Sequence, residues 1–258
     1  MRNELLIPQW NAAPQVGALM STRQGGVSAP PWNSLNVGLG AGDAEDHVRA
    51  NRERLVQAAG ARLAYLKQVH GQQVVRVDSS TVSAPPPKAD AAWTDQPGIA
   101  CAVQAADCLP VLFAAPFGRA VAAAHAGWRG LAAGVLQNTV RTLCEAADCE
   151  AAELDAWLGP CIGPTAFEVG AEVLQAFGVN ADAADSERFV YQPRADGQPR
   201  WRADLAGLAL DRLRAVGLTR LSGGSWCTVQ DPSRFFSFRR DGITGRMVAA
   251  VWIRSAAL

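Results

Sequence analysis

"AADCLPVLFAAPFGRAVAAAHAGWRG", residues 105–130, contains two apolar runs separated by a short polar turn. The turn "PFGR" includes Gly118, whose backbone can reverse direction at little steric cost. The stretch therefore predicts a β-hairpin with strands near residues 109–114 and 119–124. Packing alone does not explain why its open end carries Cys108 and His125.

The rest of the chain predicts strands and helices that interleave without a repeat. Helices are expected at about 44–59, with Asp43 as N-cap and Gly60 as the stop, and at 131–146, 168–177 and 203–216. Further strands are expected near 98–104, 154–158, 235–239 and 247–253, with two strand pieces around a turn at His70 and Gly71. Short turns between neighbouring strands require antiparallel pairing. We therefore expect an α/β (α+β) fold with mixed, largely antiparallel sheets flanked by helices, in one domain over residues 1–258.

Composition limits the classes of partner. The 24 Lys and Arg residues balance 24 Asp and Glu residues, so net charge does not attract nucleic acid or an acidic membrane, and we expect neither as a partner. The apolar run in the N-terminal "MRNELLIPQW" is too short for a signal peptide or a membrane span. We therefore expect a cytoplasmic protein. Six cysteines without a CxxC motif are expected to be thiols. A small polar ligand fits this composition best.

The open end of the predicted hairpin is a candidate metal site. Cys108 and His125 would be diagonal neighbours with backbones on the order of 7 Å apart, and the turn at His70 can supply a third ligand. Two imidazoles and a thiolate, with a fourth position left open, are typical of catalytic zinc. The spacing matches no short metal motif. By spacing alone, a buried structural cysteine with hydrogen-bonded histidines therefore stays an open alternative.

Nine longer motifs follow one another along residues 15–253. They are "STRQGGVS", "SLNVG", "GDAEDHVRANRERL", "QVHG", "ADCLPVLF", "AAHAGWRG", "LGPCIGP", "FEVG" and "FFSFRRDGITGRM". Together they resemble one known family, the bacterial laccase-domain proteins, also described as multicopper polyphenol oxidases or peptidoglycan editing factors. The resemblance implies a four-layer α/β/β/α fold, a cytoplasmic enzyme, and zinc held by His70, Cys108 and His125.

The same resemblance implies an activity. Members are known as purine nucleoside phosphorylases acting on adenosine, inosine, guanosine and methylthioadenosine, and as adenosine deaminases; others remove L-serine from a UDP-MurNAc peptidoglycan precursor. We expect a zinc-dependent phosphorylase with adenosine deaminase activity, and the precursor amidase is the alternative. The chain reads "GGSWCTV" at 223–229, where such proteins often carry "GGDxCTY". This departure puts substrate roles of Ser225, Trp226 and Val229 in doubt, and Cys227 is interpreted as packing.

Other residues are candidates for supporting roles. Asp107 is either an acid or base beside Cys108 or the cap of a turn, and we favour the catalytic role. Phosphate favours guanidinium groups, and four arginines lie in or beside the motifs: Arg23, Arg52, Arg129 and Arg239. Of these, Arg129 and Arg52 join Asp107 and Cys108 as our predicted catalytic residues. The glycine-rich stretch 38–43 is interpreted as a helix-capping turn, and Phe236 or Phe238 is a candidate for stacking on a purine.

Rival chemistries share the same residues. Two histidines and a cysteine are also a blue-copper ligand set, but the chain holds only His47, His70 and His125, too few for a multicopper centre. Copper is therefore expected only as an adventitious or alternative metal.

Cys108 can also act as a nucleophile, with His125 or His70 as base, in amide hydrolysis. A non-catalytic binding role does not explain why His70, Cys108 and His125 would be brought together. The expected partners are a purine nucleoside and phosphate, and the expected state is a monomer.

Overall fold

Three β-sheets organise the computed structural model, which describes residues 4–181 and 185–255. The strands are β1 Leu5–Leu6, β2 Val16–Ser21, β3 Arg62–Tyr65, β4 Val74–Arg76, β5 Ala91–Thr94, β6 Ile99–Ala105, β7 Leu109–Ala114, β8 Val121–Ala126, β9 Asp155–Leu158, β10 Glu168–Val169, β11 Asp185–Ser186, β12 Phe189–Tyr191, β13 Trp201–Ala203, β14 Arg220–Gly223 and β15 Met247–Ile253. The helices are α1 Glu45–Ala59, α2 Trp128–Ala133, α3 Val135–Ala147, α4 Ala171–Ala176, α5 Leu205–Ala215 and α6 Phe238–Asp241. None of these helices is both long and apolar enough to cross a membrane.

The predicted hairpin, β7 and β8, lies at the centre of the largest sheet. That sheet has the order β14-β9-β7-β8-β5-β4, and a five-stranded sheet has the order β1-β2-β15-β6-β3. Pairing is antiparallel except between β14 and β9, β4 and β5, and β3 and β6. A small antiparallel sheet, β10-β13-β12-β11, completes the set. These pairings confirm the predicted mixed, largely antiparallel fold.

Alternating side chains on the central strands separate the layers. On β6, Val103 faces the core between the two large sheets, whereas Ala102 faces the cluster that includes α1. On β7, Leu112 faces the same inter-sheet core, whereas Phe113 packs in the cluster that includes α3 and α5. Successive strand residues point to opposite faces, so each large sheet is buried on both sides. The layer order is α/β/β/α, as the resemblance implied.

Four predicted helices are corrected by the structure. The helix expected at 131–146 is two helices, α2 and α3, because Gly134 between them has the left-handed φ of 100°. The N-cap of α1 is Ala44, and the carboxylate of Asp43 instead accepts hydrogen bonds from the backbone of Ala44 and the side chains of Ser28 and Asn36. The helices expected at 168–177 and 203–216 are shorter, because their first residues belong to β10 and β13.

Two strand predictions also differ from the structure. The second hairpin strand begins at Val121 rather than at 119, because a 3-10 turn occupies 116–118. The strand predicted near 235–239 is wrong. Phe236 is fully buried in a loop, and α6 begins one residue after Ser237, whose hydroxyl accepts from the backbone N–H of Arg240. This N-cap starts a helix inside the segment where a strand was predicted.

Candidate metal centre

The β7–β8 ladder brings two of the three predicted ligands together. Pro110 pairs with His125, so Cys108, two residues earlier, lies beside the end of β8. His70 comes from the loop between β3 and β4, which belong to different large sheets. The Cys108 Sγ atom lies 3.8 Å from Nε2 of His70. One potential ligand atom from each of the three residues lies within 4.8 Å of the others, so the structure brings all three together.

A buried carboxylate holds both histidines of the cluster in place. Asp90 is fully buried, and its carboxylate accepts hydrogen bonds from the backbone N–H groups of Val69 (3.1 Å), His70 (2.9 Å) and Gly71 (2.7 Å). It also lies 2.9 Å from Nδ1 of His125. Burial alone would raise the pKa of Asp90, but these hydrogen bonds, led by that from His125, lower it. The ionised carboxylate therefore fixes the turn at His70 and leaves Nε2 of His125 for a metal.

Sequence reasoning missed Asp90. It lies in "KADAAW", directly before the buried strand β5, and this strand was not predicted either. The available signal was a lone carboxylate among alanines at the start of a buried strand, where an unpaired charge would be costly. Its partners come from the loop at 69–71 and from β8. The role of Asp90 therefore becomes visible only once β5 is paired with β8.

Gly127 makes room for the cluster. A Cβ atom at this position would lie 2.8 Å from Cδ2 of His70 and 3.0 Å from Sγ of Cys108. The φ of Gly127 is −64°, which any residue can adopt, so the requirement is for space and not for backbone freedom. The glycine of "HAGWRG" therefore lets an imidazole and a thiol approach the chain closely.

The cluster couples a thiol to an imidazole. Burial would raise the pKa of Cys108, but the neighbouring His125 and His70 lower it to about 6. Burial would likewise lower the pKa of His125, but the Cys108 thiolate and the Asp90 carboxylate raise it to about 9. The stabilising effect of Cys108 is lost as pH falls through about 6, and that of His125 is lost as pH rises through about 9. Between these two pKa values, the contributions of Cys108 and His125 to stability change in opposite directions. The fraction of Cys108 in the thiolate form is therefore a clearer measure of the coupling than stability is.

We expect Cys108 of the metal-free protein to react with iodoacetamide with a pH midpoint near 6, because the thiolate is the reactive form. Mass spectrometry of peptides after timed alkylation between pH 5 and 9 measures this midpoint. Cys144 is an internal control in the same digest, since burial and the nearby Cys149 raise its pKa to about 11. A Cys108 midpoint above pH 8 would contradict the coupling.

The cluster opens into a pocket of about 550 Å³, a volume typical of small-molecule sites. Its wall includes the glycine-rich turn at Gly38, Gly40 and Ala41, which therefore lines the site as well as preceding α1. Lys67 and Arg246 contribute positive charge. Within the described part of the chain, none of the lining residues carries a carboxylate. The pocket therefore favours a ligand with a negatively charged group.

Aromatic and cationic residues of the motif "FFSFRRDGITGRM" divide between the pocket and the core. Phe238 lines the pocket and is 58% exposed, whereas Phe236 is fully buried beneath the guanidinium of Arg23. Arg246 also lines the pocket, and sequence reasoning missed it although it belongs to a motif that was recognised. A Cβ atom on Gly38 would lie 2.6 Å from Cγ of Arg246, so this glycine leaves space for the arginine.

The four arginines named from the motifs lie outside this pocket. Arg23 donates to the carbonyls of Asn33 and Pro232. Arg52 donates to the carbonyl of Val37, and its guanidinium lies 3.7 Å from the ring centroid of Tyr65. The exposed Arg129 lies over Trp128, and Arg239 donates to the carbonyl of Glu168 and lines a different cavity. Phosphate roles of Arg52 and Arg129 therefore stay predictions without support from this geometry.

Asp107 has both carboxylate oxygens engaged. Oδ1 accepts from the Thr228 hydroxyl at 2.5 Å, and Oδ2 accepts from the backbone N–H of Arg239 at 2.6 Å. Its φ of 95° is left-handed, which is uncommon for a residue other than glycine. The side chain is buried and does not line the pocket. This geometry is that of a cap joining the start of β7 to the C-terminal segment, and a catalytic role for Asp107 stays a prediction.

The remaining candidates lie away from the cluster. His47, on α1, is 3.6 Å from Asp43, and Cys227 accepts a hydrogen bond from the backbone N–H of Gly163. Trp226 packs against Trp157 with ring centroids 5.7 Å apart. The stretch that departs from the resemblance, 223–229, contributes no residue to the pocket wall.

Comparisons with known proteins show which family this chain belongs to. A family model described as multi-copper polyphenol oxidoreductase laccase matches residues 17–254. A purine nucleoside phosphorylase from Pseudomonas aeruginosa is 48% identical over 98% of this chain and 99% of its own length. Purine nucleoside phosphorylase YfiH from Escherichia coli is 46% identical over 97% of this chain and 99% of its own length.

Two solved structures share the fold of this chain. A Neisseria meningitidis protein superposes with a TM-score of 0.86 at 43% identity, covering 98% of this chain and 100% of its own. YlmD from Geobacillus stearothermophilus superposes with a TM-score of 0.83 at 30% identity, covering 96% of this chain and 99% of its own. The similarity therefore extends over nearly the whole fold.

Proposed function

The chain belongs to the multi-copper polyphenol oxidoreductase laccase family, and on that premise we propose that it is a zinc-dependent purine nucleoside phosphorylase. Relatives covering nearly its full length carry the name purine nucleoside phosphorylase. The observation that carries the proposal is the pocket itself. It combines the His70, Cys108 and His125 cluster with an exposed aromatic ring and two cationic side chains. An aromatic ring can stack on a purine, cationic side chains can bind phosphate, and a metal held by the cluster would polarise a substrate group.

The donor set fits zinc. Nδ1 of His125 is hydrogen-bonded to Asp90, so its Nε2 is the free donor, and Cys108 favours the thiolate form that binds metal. Three protein ligands beside an open pocket are typical of catalytic zinc sites, where the ion polarises a substrate group or activates water. With three histidines in the whole sequence, a multicopper oxidase centre is excluded. Copper can occupy the site only as an alternative metal.

The pocket residues can position both substrates of phosphorolysis. In this reaction a phosphate oxygen attacks C1′ of the ribose, the C1′–N9 bond breaks, and the bonding electrons leave with the purine. Phe238 offers an exposed ring on which the base can stack. Arg246 and Lys67 offer the positive charge that phosphate requires. Adenosine, inosine, guanosine and methylthioadenosine share the purine and ribose that this arrangement recognises.

We also propose that the same pocket deaminates adenosine, more slowly than it phosphorolyses it. A bound zinc ion would polarise a substrate group in phosphorolysis and would activate water in deamination. Deamination additionally requires proton transfer to the leaving ammonia, and carboxylates commonly perform such transfers. Because no carboxylate among the described residues lines the pocket, phosphorolysis is expected to be the faster reaction.

Product analysis tests both activities. Zinc-loaded protein is incubated with adenosine, with and without phosphate, and the products are separated by chromatography. Adenine and ribose 1-phosphate are expected only with phosphate, whereas inosine from deamination is expected to accumulate without phosphate and to be converted to hypoxanthine and ribose 1-phosphate when phosphate is present. Failure of zinc-replete protein to convert adenosine, inosine, guanosine or methylthioadenosine would reject the nucleoside proposal.

Separate Michaelis constants for the two substrates test the pocket assignments. Phe238→Ala is expected to raise KM for adenosine about tenfold, since stacking on a base contributes about 1–3 kcal/mol. Arg246→Gln is expected to raise KM for phosphate about tenfold or more, since a charged hydrogen bond contributes about 1.5–3 kcal/mol. Phe117→Ala is the control for the first variant, because Phe117 is 74% exposed at the distant hairpin turn. If Arg129→Ala raised the phosphate KM and Arg246→Gln did not, the sequence-based assignment would be restored.

One observation favours a second candidate, amide hydrolysis. The lowered pKa of Cys108 and the 3.8 Å separation from the His70 imidazole resemble an activated nucleophile and its base. The thiolate would attack the amide carbonyl of a serine-bearing precursor, the C–N bond would break, and protonated L-serine would leave before water hydrolyses the thioester. Mass spectrometry distinguishes the candidates. An acyl adduct on Cys108, formed by metal-free protein and suppressed by zinc, would support the amidase.

A further inference from the structure

A second cavity, of about 530 Å³, is unusually rich in arginine. Four guanidinium groups, from Arg194, Arg200, Arg202 and Arg239, face it together with only two carboxylates, Glu168 and Glu172. The chain as a whole has no net charge, so this surplus of two positive charges is local. We propose that the cavity is a second ligand site that binds an organic phosphate monoester.

Glu168 holds three of the arginines around one point. Its carboxylate accepts from Nε (2.8 Å) and Nη2 (2.6 Å) of Arg194, and lies 3.5 Å from Arg202 and 3.8 Å from Arg200. Glu168 and Arg202 are directly paired across β10 and β13. A carboxylate offers about four lone-pair positions, whereas each guanidinium carries five N–H donors. One carboxylate therefore orders these groups without saturating them, and a phosphate can accept the surplus donors bidentately.

Part of the cavity lining is apolar. It includes Trp128, Phe167 and Val173, and the guanidinium of Arg239 lies 5.6 Å from the ring centroid of Phe167. Small-molecule sites of about 300–1,000 Å³ typically pair such apolar surface with a few placed polar groups. Inorganic phosphate would leave the apolar wall uncovered. A phosphate attached to an organic group can contact both the guanidinium groups and the apolar side chains, and a dianion matches the charge surplus.

The second cavity adjoins the metal centre through shared segments. Arg239 lines the second cavity, and its backbone N–H donates to Asp107, the residue before Cys108. Phe238, its neighbour in sequence, lines the first pocket. The charged residues of the two cavities are nevertheless different, since Arg246 and Lys67 belong to the first and Arg194, Arg200 and Arg202 to the second. Variants can therefore separate the two sites, and the inference does not depend on the proposed phosphorylase activity.

Isothermal titration with adenosine 5′-monophosphate, ribose 5-phosphate and inorganic phosphate tests the proposal on zinc-loaded, full-length protein. Each titration is repeated in a Phe238→Ala/Arg246→Gln background, which weakens binding in the first pocket. We expect saturable binding of at least one organic phosphate in that background, at least tenfold tighter than inorganic phosphate. The Arg200→Ala/Arg202→Ala pair is expected to weaken it at least tenfold, whereas Arg220→Ala, on the exposed strand β14, leaves it unchanged.

Thermal melting checks that the double variant folds, and Arg194→Ala, at the most exposed of the three arginines, provides a milder substitution expected to weaken binding at least threefold. Three results would overturn the inference. They are no saturable binding of either organic phosphate, binding unaffected by all three arginine substitutions, or inorganic phosphate binding as tightly as the organic phosphates.

Discussion

Cys108→Ala is expected to remove zinc and to lower kcat/KM for phosphorolysis by about 10³-fold or more, because Lewis-acid catalysis contributes several kcal/mol. Cys108 supplies the only anionic donor of the cluster, and its pKa of about 6 keeps it ionised at neutral pH. Alanine would leave two imidazoles on an open wall of the pocket. The variant should fold, since the side chain is small and lies just before β7 rather than within the ladder.

Zinc content by elemental analysis and steady-state kinetics measure this effect. Cys144→Ala is the matched control, because this thiol lies on α3 and takes no part in the pocket. The control should retain stoichiometric zinc and full activity. Undiminished phosphorolysis by a Cys108→Ala protein with no bound metal would contradict the assignment of the site.

Asp90→Ala is expected to destabilise the protein by about 3–5 kcal/mol, the usual cost of breaking a buried charged pair. The substitution removes the partner of His125 and leaves the backbone N–H groups of 69–71 without their acceptor. Asp90→Asn keeps the shape and one acceptor oxygen but loses the charge. For this variant we expect about 10- to 100-fold weaker zinc binding, the effect typical of losing a carboxylate that orients a ligand histidine.

Urea unfolding and competition with a zinc chelator separate the two effects. Asp155→Asn is the control, since Asp155 is another buried carboxylate at the far end of the β7–β9 ladder. It should change zinc affinity less than twofold. Wild-type zinc affinity in Asp90→Asn would show that the carboxylate supports the fold alone and does not orient His125.

Local patterns predicted the hairpin and most of the helices. The apolar runs around Gly118 form an antiparallel ladder, and this ladder sets the distance between Cys108 and His125. Apolar residues at helical spacing correctly located α1, α3 and α5 because each packs one face against a sheet. These features depend on residues that are close in sequence, so periodicity is sufficient to find them.

The missed residues depend on contacts between distant segments. Asp90 acquires its role only when β5 pairs with β8, and Arg246 enters the pocket only because Gly38 leaves it space. The false strand near 235–239 has the same origin. Aromatic residues are common in strands, but Phe235 and Phe236 are buried in a loop that precedes a capped helix. Hydrophobic periodicity shows which face of a segment is buried. It does not show which other segment packs against that face.

The way Asp90 holds the site has a consequence for how the protein acquires its metal. The turn at His70 and the ring of His125 are positioned by hydrogen bonds within the protein, and the ladder positions Cys108. Small zinc domains, by contrast, fold only around their ion. We expect a site assembled in this way to exchange an ion without unfolding. Because nitrogen and sulfur donors generally bind copper(II) more tightly than zinc, we expect the occupant of a given preparation to depend on the metals supplied during growth.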